Sequence, residues 1–465
     1  MEATVYQQYR KLGQVRKSLI RKALDSSAGV GEALIPEKLE QIITNTLPRL
    51  APEMAVFKSE FDPQKLHEFD KLTSLPAAGG AMGEGATTPT RNGAYSRDNV
   101  QLKVVRRKGA VTNFLQDASE RFIDAASAEM ENHLLAHVYD LITYGLFGNE
   151  LADAYTFGGV DRFVATNRVN ETYGGVVPTS LETLDEMLDA SNEKGGAQHD
   201  RVWVMSTRML SLFSRMLTNV RLNQGLSGNG LTQVVLPGGW RLNAYRDVPI
   251  IESSSTRPKG QMGVVGIAAT GAGSGIGANT YYFQVAPVTW DGEQIASAEV
   301  SQVITNQDSI NLTWTAYTNA LYYKIYVSKL TTGDGAGKGK LRKVISAFTY
   351  DGSGTITGVV VGTSFTVADP TVAHASVPTH MQSDVPLNYT AGVPPEYVVL
   401  WDTDKYQGLG KLPYTNRGGS RFGGLVTIKQ LAETDDFINF LLKSYTALCP
   451  SYEATSFVHR GLRVK

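Results

Sequence analysis

From about residue 258 to 372 the helical spacing of apolar residues stops, and beyond that stretch it resumes. Seven short segments there alternate apolar with polar side chains: "QMGVVGIAA", "NTYYFQVAPVTW", "IASAEVSQVIT", "SINLTWT", "LYYKIYVSK", "LRKVISAFTY" and "TSFTVAD". In the fourth, Ile310, Leu312 and Trp314 are separated by polar neighbours; in the fifth, Tyr323, Ile325 and Val327 repeat the pattern. A period of two puts such residues on one face of a strand. Seven strands joined by glycine-rich turns fit a sandwich of two sheets. Mixed helix-and-strand patterning lies on both sides, so the sandwich is an insertion in a larger domain and not an end-to-end neighbour.

The host begins with a polar, locally basic stretch. Arg10, Lys11, Arg16, Lys17, Arg21 and Lys22 recur among Tyr9, Leu12, Val15, Leu19 and Ile20, an amphipathic helical pattern with a cationic face. Two readings stay open: a solvated helix face, or an arm that docks on a neighbour or touches nucleic acid. "ALIPEKLEQII" predicts a further helix, with Pro36 in its first turn and Pro48 ending it. Residues 76–98 are rich in Gly, Ala and Thr and contain the turn dipeptide Asn92-Gly93; "NVQLKVVRRKGAVTNF" then alternates as a strand. Residues 70–113 are therefore expected to form a long exposed β-hairpin, which buries too little to hold itself in water. Its return strand carries Lys103, Arg106, Arg107 and Lys108. These either protect an edge from strand-to-strand aggregation or pair with an acidic strip on a neighbouring subunit. A nucleic-acid role would want interleaved aromatics, which the run lacks.

Residues 117–148 are expected to form one long helix. Asp117 and Glu120 resemble a capping box, and Phe122, Ala126, Met130, Leu134, Val138, Leu141 and Ile142 hold helical spacing. At 1.5 Å per residue it would span on the order of 40 Å. "SLETLDEMLDA" predicts a helix, "RVWVMST" a buried strand, "RMLSLFSRML" a helix and "YRDVPIIES" a strand, so residues 151–255 read as a mixed α/β domain. "PPEYVVLWDTDKYQGL" and "TDDFINFLLKSYTALCP" resume that pattern after the insertion.

Composition narrows the function. The chain has 44 Lys and Arg against 45 Asp and Glu, so no global field steers it toward nucleic acid or an anionic membrane. The single cysteine, Cys449, cannot form an internal disulfide, which fits a reducing compartment. The polar N-terminus and the lack of long apolar runs lead to the expectation of a soluble chain made in a cytoplasm. Candidate chemistry is sparse. His133 and His137 have ligand spacing, but "HLLAH" lacks the glutamate of a zinc protease, and a helix-face role is favoured. "GDGAGKGK" fails the phosphate-loop spacing and reads as a hairpin tip; "GAGSGIGAN" lacks a strand–turn–helix setting and reads as a joint. No catalytic, cofactor or metal residues are assigned, and the expectation is a protein that is not an enzyme.

The order of parts is informative: a basic arm before "ALIPEKLEQII", a hairpin containing "GEGATTP", a long helix, "FGGVDRF", "VWVMST", then "VVLWDTDKYQGL" and "FLLKSYTALCP". This resembles the major capsid protein of tailed bacteriophages, the Hong Kong 97-like capsid fold. The resemblance implies an α+β fold with an N-terminal arm (1–54), an extended loop with flanking peripheral strands (55–116), a spine helix (117–150), an axial domain (151–257) and the remainder of both domains (373–465). The insertion, 258–372, resembles an immunoglobulin-like or fibronectin type III domain, with Trp314 at its buried tryptophan. The implied function is a virion structural protein that assembles into hexamers and pentamers of an icosahedral or prolate head around double-stranded DNA. Its partners would be itself, non-specifically bound DNA, and scaffold, portal and decoration proteins, with no membrane and no cofactor. It would be assembled in a bacterial cytoplasm, with the sandwich displayed outside. Subunit contacts are expected at Arg10, Lys11, Arg16, Lys17, Glu84, Arg91, Arg97, Lys103, Arg106, Arg107 and Lys108. Two other classes stay open: a surface adhesin that works through the sandwich, and an enzyme with dispersed active-site residues.

Overall fold

The computed structural model describes residues 59–464 except 62–65, 75–89, 120–123, 196–200, 224–230, 236–240, 272–275, 330–338, 351–355, 360–363, 404–413, 417–426, 432–435 and some stretches of one to three residues. Calls on residues 1–58, including the basic arm and the helix after Pro36, lie outside that range. Contacts divide the described chain into two compact units, one holding residues 105–139 and 420–444, the other 52–104, 140–419 and 445–464.

β1 (Ser59–Phe61) is followed by β2 (Leu66–Ser74), on which β3 (Ala94–Gln101) returns antiparallel. The register runs from Leu66 opposite Gln101 to Ser74 opposite Ala94, with an irregularity after Leu72. This ribbon is shorter than expected. The chain leaves it at the buried Leu102, and the next strand, β4 (Lys103–Thr112), pairs instead with a strand near the end of the chain, β23 (Phe437–Leu448). Asn92-Gly93 precedes β3 and is not itself a two-residue hairpin turn.

The expected single helix over 117–148 is two helices, α1 (Asn113–Ser119) and α2 (Ala125–Phe147). Asp117 therefore lies inside α1, and its expected capping partner Glu120 lies outside the described residues. Thr112 Oγ1 accepts the Leu115 N–H at the start of α1, and Asp124 caps α2, accepting the Ser127 N–H at 3.1 Å and its hydroxyl at 2.6 Å. α2, about 35 Å long at 1.5 Å per residue, contributes residues 125–139 to the first unit and 140–147 to the second. In the first unit Gly109 of β4 lies against Phe440: an added Cβ there would lie 2.2 Å from the Phe440 ring, so only glycine fits.

The second unit continues through α3 (Val160–Phe163), β5 (Arg168–Asn170), α4 (Glu182–Glu193), β6 (Arg201–Met205), α5 (Thr207–Asn223), β7 (Thr232–Val235), β8 (Arg241–Tyr245) and β9 (Val248–Glu252). "YRDVPIIES" holds a hairpin where one strand was expected. Arg246 and Asp247 take φ of 49° and 65°, the left-handed pair of a tight two-residue turn. Arg246 is held there by Asp185 at 3.2 Å, which also accepts the Tyr245 hydroxyl at 2.7 Å.

The next ten strands fall in the inserted stretch. They are β10 (Val265–Thr270), β11 (Asn279–Thr289), β12 (Gly292–Glu293), β13 (Val300–Ile304), β14 (Ser309–Trp314), β15 (Ala320–Lys329), β16 (Lys340–Ser346), β17 (Phe348–Tyr350), β18 (Ile356–Val359) and β19 (Ser364–Val367). All seven expected segments carry strands, and "LRKVISAFTY" carries two. β10-β14-β19 form one sheet; β12-β11-β15-β16, with β13 on β11, form another. Tyr281, Phe283 and Val285 from β11, Ile310, Leu312 and Trp314 from β14, and Tyr323, Ile325 and Val327 from β15 share one core between them. Trp314 lies against Tyr323, ring centres 5.3 Å apart. β15 and β16 pair antiparallel; most of "GDGAGKGK", between them in sequence, lies outside the described residues.

The chain closes with β20 (Pro395–Asp402), β21 (Tyr414–Asn416), β22 (Thr427–Gln430), β23 (Phe437–Leu448) and β24 (Phe457–Arg463). The largest sheet runs β5-β24-β20-β6-β9-β8-β7, so strands from before and after the insertion lie side by side. Leu184, Met187 and Leu188 of α4 and Met209 and Phe213 of α5 cover one face, over Trp203, Val398 and Leu400. β6 and β20 are buried at every position, so the other face is covered too. The observed class is α+β, as expected.

Candidate assembly surfaces and a buried charge cluster

Of the expected contact residues, Arg10, Lys11, Arg16, Lys17, Glu84 and Arg91 lie outside the described residues. Arg97 is on the ribbon, directly opposite Asp70. Its Nε donates to Asp70 Oδ1 at 2.9 Å, and Glu68 lies 4.0 Å away. That hydrogen bond, with the guanidinium charge, holds the Asp70 carboxyl below its ordinary range. The pair stands in open solvent, where it adds little stability. β3 is exposed at every position except the half-buried Val100, and Tyr95 is 74% exposed. The face carrying Leu66, Glu68, Asp70 and Arg97 is open to water, and the other is covered at the buried His67, which stacks on the half-buried Phe69.

Lys103, Arg106, Arg107 and Lys108 are not on the ribbon's return strand, because pairing switches at Leu102. On β4 they split by the strand's period of two. Arg106 and Lys108 lie on the exposed face with Val104 and Ala110; Arg107 is on the Gly109 side, half-buried. Its charge acts on His137, which is wholly buried on α2 with Nε2 2.8 Å from Ser444 Oγ. His133 packs edge-on to Phe440 and lies 3.2 Å from Glu129. The two imidazoles thus have separate partners, and among the described residues no group of three or more His, Cys, Asp or Glu is arranged to hold a metal.

Burial, and next the Arg107 charge, push His137 down to about 4 from an ordinary 6.5. A depressed pKa means the unfolded chain binds the extra proton first as pH falls. His137 therefore contributes stability above pH 6.5 that is lost on going down to pH 4, up to about 3 kcal/mol at 1.36 kcal/mol per unit. His380 and His459 are pushed down by burial as well, so a variant is needed to isolate the share of His137. Unfolding free energy measured from pH 7 to 4 should fall less steeply for His137→Gln than for the parent chain; equal slopes would assign the loss elsewhere.

The densest chemistry was not legible in the sequence. Asp161 of α3, Arg168 of β5, Glu293 of β12, Lys324 of β15, Asp384 and Arg460 of β24 converge in the second unit, three cations with three carboxylates, each side chain at most 9% exposed. Arg168 grips Asp384 with two hydrogen bonds, 3.0 and 2.7 Å, and donates to Asp161 at 2.7 Å. Arg460 lies 2.7 Å from Asp384 and donates to Glu293 at 2.6 Å. Glu293 also accepts from Lys324 at 2.8 Å, from the Tyr326 hydroxyl at 2.6 Å and from the Tyr397 hydroxyl at 3.4 Å. Burial alone would raise the Asp161 and Asp384 carboxyls; the arginines and Lys324 outweigh it and hold both below the ordinary range. Burial likewise pushes the Tyr326 and Tyr397 hydroxyls up, so both stay protonated donors. The arrangement suits joining of layers: most of these hydrogen bonds run between its own members. A small cavity lined by Thr143, Phe147, Asn149, Thr289 and Tyr322 has a volume of about 10 Å³, room for about one water.

No family model and no curated protein matches the chain. Solved structures similar to it over nearly their whole length include the SrpI encapsulin of Synechococcus elongatus PCC 7942, with TM-score 0.43, 11% identity, and 91% of this chain and 92% of that one covered. A structure from Mycobacterium phage Ogopogo gives TM-score 0.43, 9% identity and coverage of 94% and 99%. The capsid of Myoviridae phage XM1 gives TM-score 0.40, 8% identity and coverage of 94% and 100%. Among the described residues no helix is long and apolar enough to cross a membrane.

Proposed function

We propose that this chain is a self-assembling major capsid protein of the Hong Kong 97-like kind, without catalytic chemistry, tiling as hexamers and pentamers of a phage head around double-stranded DNA. One observation carries the reading. The β2–β3 ribbon is paired along its whole described length, yet apart from the buried His67 and the half-buried Phe69 and Val100 its described side chains are exposed. An isolated two-stranded ribbon is marginal in water, so such a ribbon gains its order from a surface on another copy. Closed symmetry then multiplies modest contacts into a stable shell. In this reading Arg97, Arg106 and Lys108, with Lys103, Arg107, the arm residues Arg10, Lys11, Arg16 and Lys17, and Glu84 and Arg91 of the loop, serve contacts between copies. The two-sheet insertion is an immunoglobulin-like or fibronectin type III module displayed on the outer surface. Scaffold, portal and decoration proteins are its expected partners, and the host cytoplasm its place of assembly.

The experiment is negative-stain electron microscopy with analytical sedimentation of the purified full chain. Uniform shells or capsomer rings are the expected result. A chain that stays monomeric at every concentration, with its ribbon amides already protected from exchange, overturns the reading.

A further inference from the structure

The inserted sheet is covered along β15 on the side away from the sandwich core, while the outer positions Ser301 and Val303 of its edge strand β13 stay exposed. Along β15, Tyr323, Ile325 and Val327 fill the sandwich core, while Tyr322, Lys324, Tyr326 and Ser328 on the opposite side are each 4% exposed or less. Tyr322 and Tyr326 join Leu321, Ala286 and Val288 in a second apolar cluster with Val377 and Met381, which belong to the segment returning to the host. Backbone bonds stitch the same seam: Ala296 N–H donates to Leu387 O and Leu341 N–H to Asp384 O, at 2.9 and 3.0 Å. Gln284 Nε2 donates to Asn388 Oδ1 at 2.8 Å. The β11–β12 turn reaches α2, where a Cβ added at Gly292 would come 2.9 Å from the Phe147 ring, and Phe147 itself packs edge-on against Tyr397 of the host sheet. At the centre sits Glu293, an insertion residue, taking hydrogen bonds from Lys324 and Tyr326 of the insertion and from Arg460 and Tyr397 of the host.

We propose that the sandwich is locked to the host sheet in one fixed orientation and unfolds with it as a single cooperative unit, with Glu293 as the shared acceptor that sets the seam. The physical ground is that two faces buried against each other, with charges satisfied across them, cannot part without exposing apolar surface and stripping hydrogen bonds from Glu293 and Arg460. A tethered module would show a polar, solvated sheet on that side. The inference stands apart from the shell-forming reading, because it concerns one copy of the chain.

Native-state hydrogen exchange on the full chain, in rising denaturant, tests it. Amides of β11 and β15 should merge with those of β20 and β24 at one common opening. Exchange of β11 and β15 through an opening that leaves β20 and β24 protected tenfold or more overturns the lock. Leu312→Ala, in the three-stranded sheet on the far side of the sandwich core, should lower protection of β20 and β24 by the same factor as that of β11 and β15. Protection of the host strands left unmoved overturns the proposal. Ile310→Val serves with the same readout if the alanine variant does not fold. Glu293→Gln should likewise lower both sets together; a fall confined to the sandwich overturns its role at the seam.

Discussion

Asp384→Ala is expected to bring the second unit close to unfolding. The carboxylate is fully buried and lies 2.7 Å from both Arg168 and Arg460, so its loss leaves two guanidinium groups sharing too few anions in a dry interior. Breaking a buried pair by removing one partner costs about 3–5 kcal/mol, against a typical total of about 5–15 kcal/mol. Denaturant titration should show that loss as a lower midpoint at unchanged slope. Adding Arg168→Met should recover part of it, because the cluster's charge is again balanced and a thioether side chain fills the space. An Asp384→Ala chain within about 1 kcal/mol of the parent would mean that the cluster is solvated and not a buried network. The sign with pH follows from the depressed carboxyls: the contribution of Asp161 and Asp384 is present above their ordinary pKa of about 4 and is lost as pH falls toward the folded values.

Removal of the ribbon should act in the opposite way, leaving the fold intact and abolishing assembly. Leu66 and Gln101 are directly paired, so a short glycine-rich connector can replace residues 67–100 without moving the flanking backbone. Among the described residues removed only His67 is buried, so the thermal midpoint should move by only a few degrees. Particle yield, scored by sedimentation and electron microscopy, should drop at least tenfold. Shells forming at the parent concentration would remove the ribbon from the assembly argument.

Local pattern was legible where one neighbour layer decides it. Ile310, Leu312 and Trp314 face a core because alternate residues of a strand share a side, and the structure buries all three. The hairpin was legible in kind but not in extent: "NVQLKVVRRKGAVTNF" reads as one strand, and only the pairing of β4 with β23 ends the ribbon at Leu102. Helical spacing ran unbroken from Phe122 to Ile142, yet Asp124 starts a new helix, since its carboxylate satisfies Ser127 better than a continued turn would. For the cluster, spacing held no signal. Its six charges come from six places in the chain, and the single local hint was a lysine inside the apolar run "LYYKIYV".

The sequence by itself determined which residues alternate, where helices and strands fall, and that a strand-rich block interrupts a mixed host. Only the tertiary structure decided what covers the second side of β15. There Lys324 and Tyr326, on the side away from the sandwich core, are buried against Glu293 and Arg460. Periodicity is a property of neighbours along the chain and says which side a residue takes. Whether that side meets water or another layer depends on contacts between residues more than a hundred positions apart, such as Tyr326 with Arg460.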